Sequence, residues 1–140
     1  MKIFLAGIIQ GSLKDDSIHS QDWRGPVREI IARRIPTADV YCHYSAHPNS
    51  LTYRGEKIRA TFDEGVRRCA ESDLVIVYLP SASMGTAIEM YEAYHNGAVV
   101  LTVTPMAANW VVKLYSHAVF ATLEELDEFI AAGKLETLFE

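Results

Sequence analysis

The stretch Asp73–Gly97, DLVIVYLPSASMGTAIEMYEAYHNG, decides how this chain reads. Leu74 to Leu79 is an unbroken apolar run, the pattern of a parallel strand buried on both faces rather than a strand with one wet side. Pro80 stops that strand, a small polar loop follows, and a helical pattern then carries Glu89 in its second turn. In an open α/β sheet, ligands bind beyond the carboxyl ends of strands, where loop meets helix. A carboxylate and a Ser/Gly/Thr loop therefore stand where such a fold puts its chemistry.

Working outward, Lys2 to Gly7 (KIFLAG) reads as a buried first strand that runs into a loop, Ile8 to Asp22. A helix starts near Gly25-Pro26, because proline in the first turn forfeits an N–H that had no partner anyway. Ala38 to Tyr44 reads as a second strand, followed by a His/Pro/Asn/Ser-rich loop to Arg54 and a helix from about Gly55 to Ala70. After the Glu89 helix come a strand at Ala98–Val103, a short helical stretch around Asn109–Tyr115, a strand at Ala118–Phe120 and a helix capped by Thr122. Alternating strands and helices with short connections predict one domain, residues 1–140. Its expected fold class is α/β, a three-layer doubly wound sheet of about five mostly parallel strands, Rossmann-like or flavodoxin-like.

Composition narrows the function. The 140 residues, 49% of them hydrophobic, suit a single domain with a real core. Thirteen basic against 18 acidic residues give a net charge of −5, without the basic stripe of a nucleic-acid binder. No apolar run approaches the roughly 18 residues that span a bilayer, and the amino end lacks signal-peptide features, so neither membrane nor nucleic acid is an expected partner. Two cysteines, Cys42 and Cys69, read as reduced thiols in a cytoplasmic protein. His19, His43, His47, His95 and His117 show no metal-ligand spacing, so no metal is expected.

Two loops carry candidate ligand contacts. Gly7, Gln10, Gly11 and Ser12 follow the first strand, where glycines permit close backbone approach and free N–H groups surround an anion or hydroxyl. A purely structural turn fits these residues as well. Ser83, Gly85 and Thr86 open the Glu89 helix, whose N–H groups and dipole suit a phosphate or sugar hydroxyl. Ser83 also reads as a plain N-cap. Glu89 shares a stripe with Gly85 and Ala93. A helix glutamate is most often a solvated charge; one facing a cleft can attack an anomeric carbon. Tyr91 and Tyr94 read as core or subunit interface, and Arg24, Arg54 and Arg59 as surface arginines.

The combination of KIFLAG, DLVIVYLP and Ser-Met-Gly-Thr-Ala-Ile-Glu resembles the nucleoside 2-deoxyribosyltransferase family, a group that includes N-glycosidases acting on nucleoside 5′-monophosphates. The similarity runs in order through most of the chain. It implies that Glu89 is the nucleophile that attacks C1′ and forms a glycosyl-enzyme intermediate. It implies that Ser83 contacts a 5′-phosphate, where nucleoside-specific relatives carry an aspartate that would repel one. Asp63 is the match to the acid that protonates or orients the leaving base. Asn109 matches a residue that a neighbouring subunit lends to the 5′ end of the sugar, which implies a homodimer or larger assembly with shared sites. Phe4 stands where relatives often carry a tyrosine, a change expected to leave room for a 2′-hydroxyl. The implied enzyme is an N-glycosidase or nucleoside deoxyribosyltransferase working without cofactor. Two other readings stay open: a non-catalytic nucleotide-sensing module on the same fold, and a flavodoxin-like domain for another ligand, which the loop after the first strand fits poorly.

Overall fold

The computed structural model describes residues 1–140. Strands β1 (Lys2–Gly7), β2 (Asp39–Cys42), β3 (Leu74–Tyr78), β4 (Val99–Val103) and β5 (Ala118–Phe120) form one sheet in the order β2-β1-β3-β4-β5. Every pairing is parallel. The connecting helices are α1 (Arg24–Arg34), α2 (His43–Ala46), α3 (Glu56–Ala70), α4 (Met84–His95), α5 (Trp110–Leu114) and α6 (Leu123–Ala131), with single 3₁₀ turns at Ser50–Thr52 and Glu136–Leu138. No helix is long and apolar enough to cross a membrane.

The pleat explains the three layers. Successive side chains of a strand point to opposite faces, so a central strand needs apolar residues at every position. Ile3, Leu5, Leu74, Ile76 and Leu101 face one layer, where Val27 and Ile31 of α1 and Leu126 and Ile130 of α6 cover them. Phe4, Ala6, Val75, Val77 and Val100 face the other, beneath Cys69 of α3, Met90 and Ala93 of α4 and Val112 of α5. Two buried polar side chains inside this frame are paired: Thr102 with Ser116 at 2.7 Å, and Thr104, which donates to the Leu79 carbonyl at 2.6 Å.

One boundary differs from the expectation. The second strand ends at Cys42, and His43–Ala46 coils into a single helical turn. β1 pairs with β2 only as far as Leu5–Cys42, so beyond Cys42 no ladder holds the chain extended. Pro48 disfavours helical geometry at the residue before it, and His47 leaves the helix at φ −134°.

Candidate active site

The strand order fixes where a ligand can sit. β1 sends its connection to β2 on one side, while its other neighbour, β3, leads towards β4. The loops leaving β1 and β3 therefore diverge, and a crevice opens beyond their carboxyl ends. There the structure has a pocket of about 250 Å³. One wall is the loop after β1, with Gly7, Ile9, Gln10 and Gly11; a second is His43 with Ser50, Leu51 and Tyr53; a third is Ile58, Thr61 and Phe62 of α3. Ser83, Met84, Gly85, Thr86 and Glu89 supply the α4 wall.

Short polar contacts hold these walls. Gln21 Nε2 donates to the carbonyls of Ile8 (3.0 Å) and His19 (2.8 Å), pinning the loop after β1. Gly11 sits at φ +56°, a left-handed conformation that favours glycine. Arg54 spends its guanidinium on the Leu51 and Tyr53 carbonyls, at 3.0 and 2.8 Å. His43 reaches α3 because residue 65 is glycine: a Cβ there would lie 2.9 Å from the imidazole. The Tyr41 hydroxyl pairs with His43 Nδ1 at 2.9 Å, and burial followed by the charge of His47 holds this imidazole below the usual histidine range.

Glu89 is half-buried and lines the pocket. Burial pushes its carboxyl up to about 8; the charge of Arg24 opposes this, and no hydrogen bond contributes. A carboxyl without donors is free to bond to something else, and a raised affinity for protons marks it as basic once ionised. Arg24 is buried, with Nε donating to Gln21 at 2.8 Å and Nη1 to Cys42 Sγ at 3.1 Å. Its guanidinium lies over the Trp23 and Tyr44 rings at 4.2 and 5.0 Å. Desolvation lowers its own proton affinity, with Cys42 and then Glu89 acting the other way.

Ser83 caps α4. Its Oγ accepts from the Thr86 N–H at 3.4 Å and from Thr86 Oγ1 at 3.0 Å, yet Ser83 still lines the pocket. Its own O–H proton remains free to donate to an occupant. Cap and ligand contact coexist in this geometry.

Of the residues marked from sequence, Gly7, Gln10, Gly11, Ser83, Gly85 and Glu89 come together around the pocket. Ser12 is exposed and outside the lining, as the loop turns away after Gly11. Asn109 is exposed as the cap of α5, where its side chain accepts from Val111 N at 3.0 Å. Two expectations need correction. Phe4 is 1% exposed and packed against Tyr41 at 5.7 Å; the pleat turns it towards the layer of α3, α4 and α5, where it is covered and stands outside the pocket lining. Asp63 is exposed on α3 and outside the pocket lining, to which its neighbour Phe62 contributes. Arg24, read as a surface residue, is buried, and His43, Tyr53 and Phe62 carried no signal in periodicity or spacing. No cluster of three or more His, Cys, Asp or Glu side chains is gathered for a metal ion.

No protein-family model and no curated protein matches the sequence. Solved structures do match the fold. The crystal structure of a conserved protein from Enterococcus faecalis V583 superposes with a TM-score of 0.62 at 23% identity, covering 94% of this chain and 98% of that one. A 2-deoxyribosyltransferase from the psychrotolerant bacterium Bacillus psychrosaccharolyticus superposes with a TM-score of 0.65 at 15% identity, covering 91% and 90%. The chain thus has the three-layer parallel α/β fold of a 2-deoxyribosyltransferase over almost its whole length.

Proposed function

We propose that this protein cleaves or transfers the N-glycosidic bond of a nucleoside or nucleoside 5′-monophosphate, with Glu89 as nucleophile. The observation that carries this reading is the Glu89 carboxyl: unbonded, held up to about 8 by burial, and set in the wall of a pocket at the strand ends. In its ionised form Glu89 attacks C1′, the bond to the base breaks, and a glycosyl-enzyme ester forms. Water or a second base then resolves the ester, giving hydrolysis or transfer. Ser83, at the amino end of α4, suits a 5′-phosphate, since its hydroxyl and the helix dipole both favour an anion. Gln10 and the loop from Gly7 to Gly11 form the wall available to sugar hydroxyls. No step calls for a cofactor.

The reading includes a second copy of the chain. Met84, Ile88 and Tyr91 of α4 and Trp110 and Leu114 of α5 are exposed apolar side chains, with Trp110 at 78% and Met84 at 82%. On this reading a homodimer covers them, and Asn109, beside Trp110, belongs to the pocket of the neighbouring copy. Two free buried thiols fit a cytoplasmic setting.

The test is base release from a panel of ribo- and deoxyribonucleosides and their 5′-monophosphates, wild type beside Glu89→Ala. Release by the wild type alone establishes the chemistry; the preferred substrate reports on Ser83. The absence of Asp63 from the pocket favours a second reading, a nucleotide-sensing module. That reading predicts nucleotide binding with no base released and no effect of Glu89→Ala.

A further inference from the structure

Between β2 and α3, the pocket wall is backed by titratable side chains in series that Glu89 chemistry does not use. The Tyr53 hydroxyl lies 3.1 Å from His47 Nδ1. The other ring nitrogen, Nε2, lies 3.3 Å from Glu64 Oε2. Glu64 is fixed from its far side by Arg68 Nε at 3.0 Å. That hydrogen bond, with help from His47, holds the Glu64 carboxyl below the usual glutamate range, so it accepts and does not donate. Nε2 must then carry a proton. Nδ1 accepts the Tyr53 O–H when the ring is neutral and donates to the Tyr53 oxygen when the ring is cationic. The order is that of a carboxylate–imidazole–hydroxyl triad, and its last member, Tyr53, belongs to the pocket lining.

The pocket needs such a group. Cleavage of a glycosidic bond requires a proton for the leaving base, and Asp63 is not in the lining. Apart from Glu89 and small hydroxyls, only His43 and Tyr53 there can move a proton. His43 has its Nδ1 taken up by Tyr41, and its ring lies 4.8 Å from that of His47.

On the glycosidic reading above, we infer that Tyr53 is the proton-transfer residue of this site, with His47 and Glu64 as its positioning residues. As Glu89 bonds to C1′, the C1′–N electron pair passes to the base. Tyr53 Oη gives that base its proton and takes one from Nδ1 of cationic His47. In the second step the attacking water bonds to C1′ and the Glu89 ester breaks, returning its electron pair to the carboxylate. The water proton passes to Tyr53 Oη while the Tyr53 proton returns to Nδ1. Both residues end as they began, so one proton serves both halves.

The experiment compares two leaving groups on whichever sugar form the wild type cleaves. Hypoxanthine needs a proton to leave, whereas 7-methylguanine departs from a cationic nucleoside without one. Tyr53→Phe keeps the ring beneath Lys57, whose Nζ lies 3.8 Å from its centroid. It should lower kcat/KM for the hypoxanthine substrate by about 10²- to 10⁴-fold, the usual worth of a general acid, and for the 7-methylguanine substrate by less than about fivefold. His47→Gln should show the same asymmetry, and the double variant should be no worse than Tyr53→Phe, as expected of residues acting as one unit. Equal losses on both substrates, or none, overturn the relay. If the wild type is active, Glu89→Ala is dead and Tyr53→Phe shows no asymmetry, the relay fails and the glycosidic reading stands. If the wild type releases neither base, both fall. Should Tyr53→Phe fail to fold, the asymmetry in His47→Gln decides.

Discussion

Arg24 Nη1 donates to Cys42 Sγ at 3.1 Å, and both residues are buried. Arg24 forms no ion pair, so a buried cation acts on whatever ionisable groups lie near, chiefly Cys42 and then Glu89, with Tyr44 after them. Burial works to raise the Cys42 thiol, but the Ser45 hydrogen bond and the Arg24 charge outweigh it and leave it below the usual thiol range. Burial sends Cys69 far above that range. Thiolate absorbance during a pH titration should therefore show one early-ionising thiol, and Cys42→Ser should remove that component.

Glu89 gives a pH profile with a definite sign. Its carboxyl is protonated below about 8, and a protonated carboxyl is no nucleophile. For a substrate whose base leaves without a proton, kcat/KM should rise with pH and level off above about 8; Arg24→Met, which deletes the opposing charge, should move that limb upward. Stability runs the other way. The folded state holds a proton that the unfolded chain releases near 4.5, so stability is full below 4.5 and is lost as pH rises through about 8. Glu89→Gln should gain about 1–3 kcal/mol at pH 9, a range discounted for solvent reached through the pocket, and nothing at pH 4. Paired thermal melts at the two pH values measure this.

Gly85 faces open space: a Cβ there meets only Phe62 Cε2, at 3.8 Å. Gly85→Ala should fold as well as the wild type or better, by up to about 1 kcal/mol from helix propensity. The added methyl enters a pocket wall, so KM should rise. An unchanged KM would place the bound ligand away from the start of α4.

Gly65 behaves oppositely. A methyl 2.9 Å from the His43 ring must displace a side chain tied to Tyr41. Overpacking costs about 1–3 kcal/mol against a helix gain near 1 kcal/mol, so Gly65→Ala should be destabilising overall. His43→Ala in the same chain should restore most of the loss, because it empties the contested volume. Urea midpoints of the three variants form the coupling cycle.

The exposed face of α4 and α5 predicts self-association. Sedimentation should show a dimer or larger species, and Ile88→Lys with Trp110→Lys should give monomer with an unchanged circular dichroism spectrum. A wild type that sediments as a monomer would leave Asn109 without a neighbouring pocket.

The fold was legible because two-sided burial writes itself as continuous apolar runs; β1 begins and ends where its run does. Glu89 and Ser83 were legible because they follow such a run at loop-to-helix spacing. The rest of the site is made by contacts distant in sequence. His43 enters a notch at Gly65, and Arg24 is buried by Cys42, Trp23 and Tyr44, none of which a local pattern announces. Phe4 misled for a related reason. On a central strand every position is apolar, and the pattern does not say which position reaches a cavity and which is covered.

Every residue that lines the pocket lies between Gly7 and Glu89. The remaining chain supplies the last two strands, α5, α6 and part of the exposed apolar face; none of it lines the pocket, and it supports the site through α4 and the β3–β4 ladder. The protein is thus divided into a chemical portion and a supporting portion that share one helix. Substitutions beyond Glu89, Asn109 apart, can remodel assembly and rigidity while leaving the lining intact. A library confined to residues 98–140 would vary affinity and quaternary state with the reacting groups held constant.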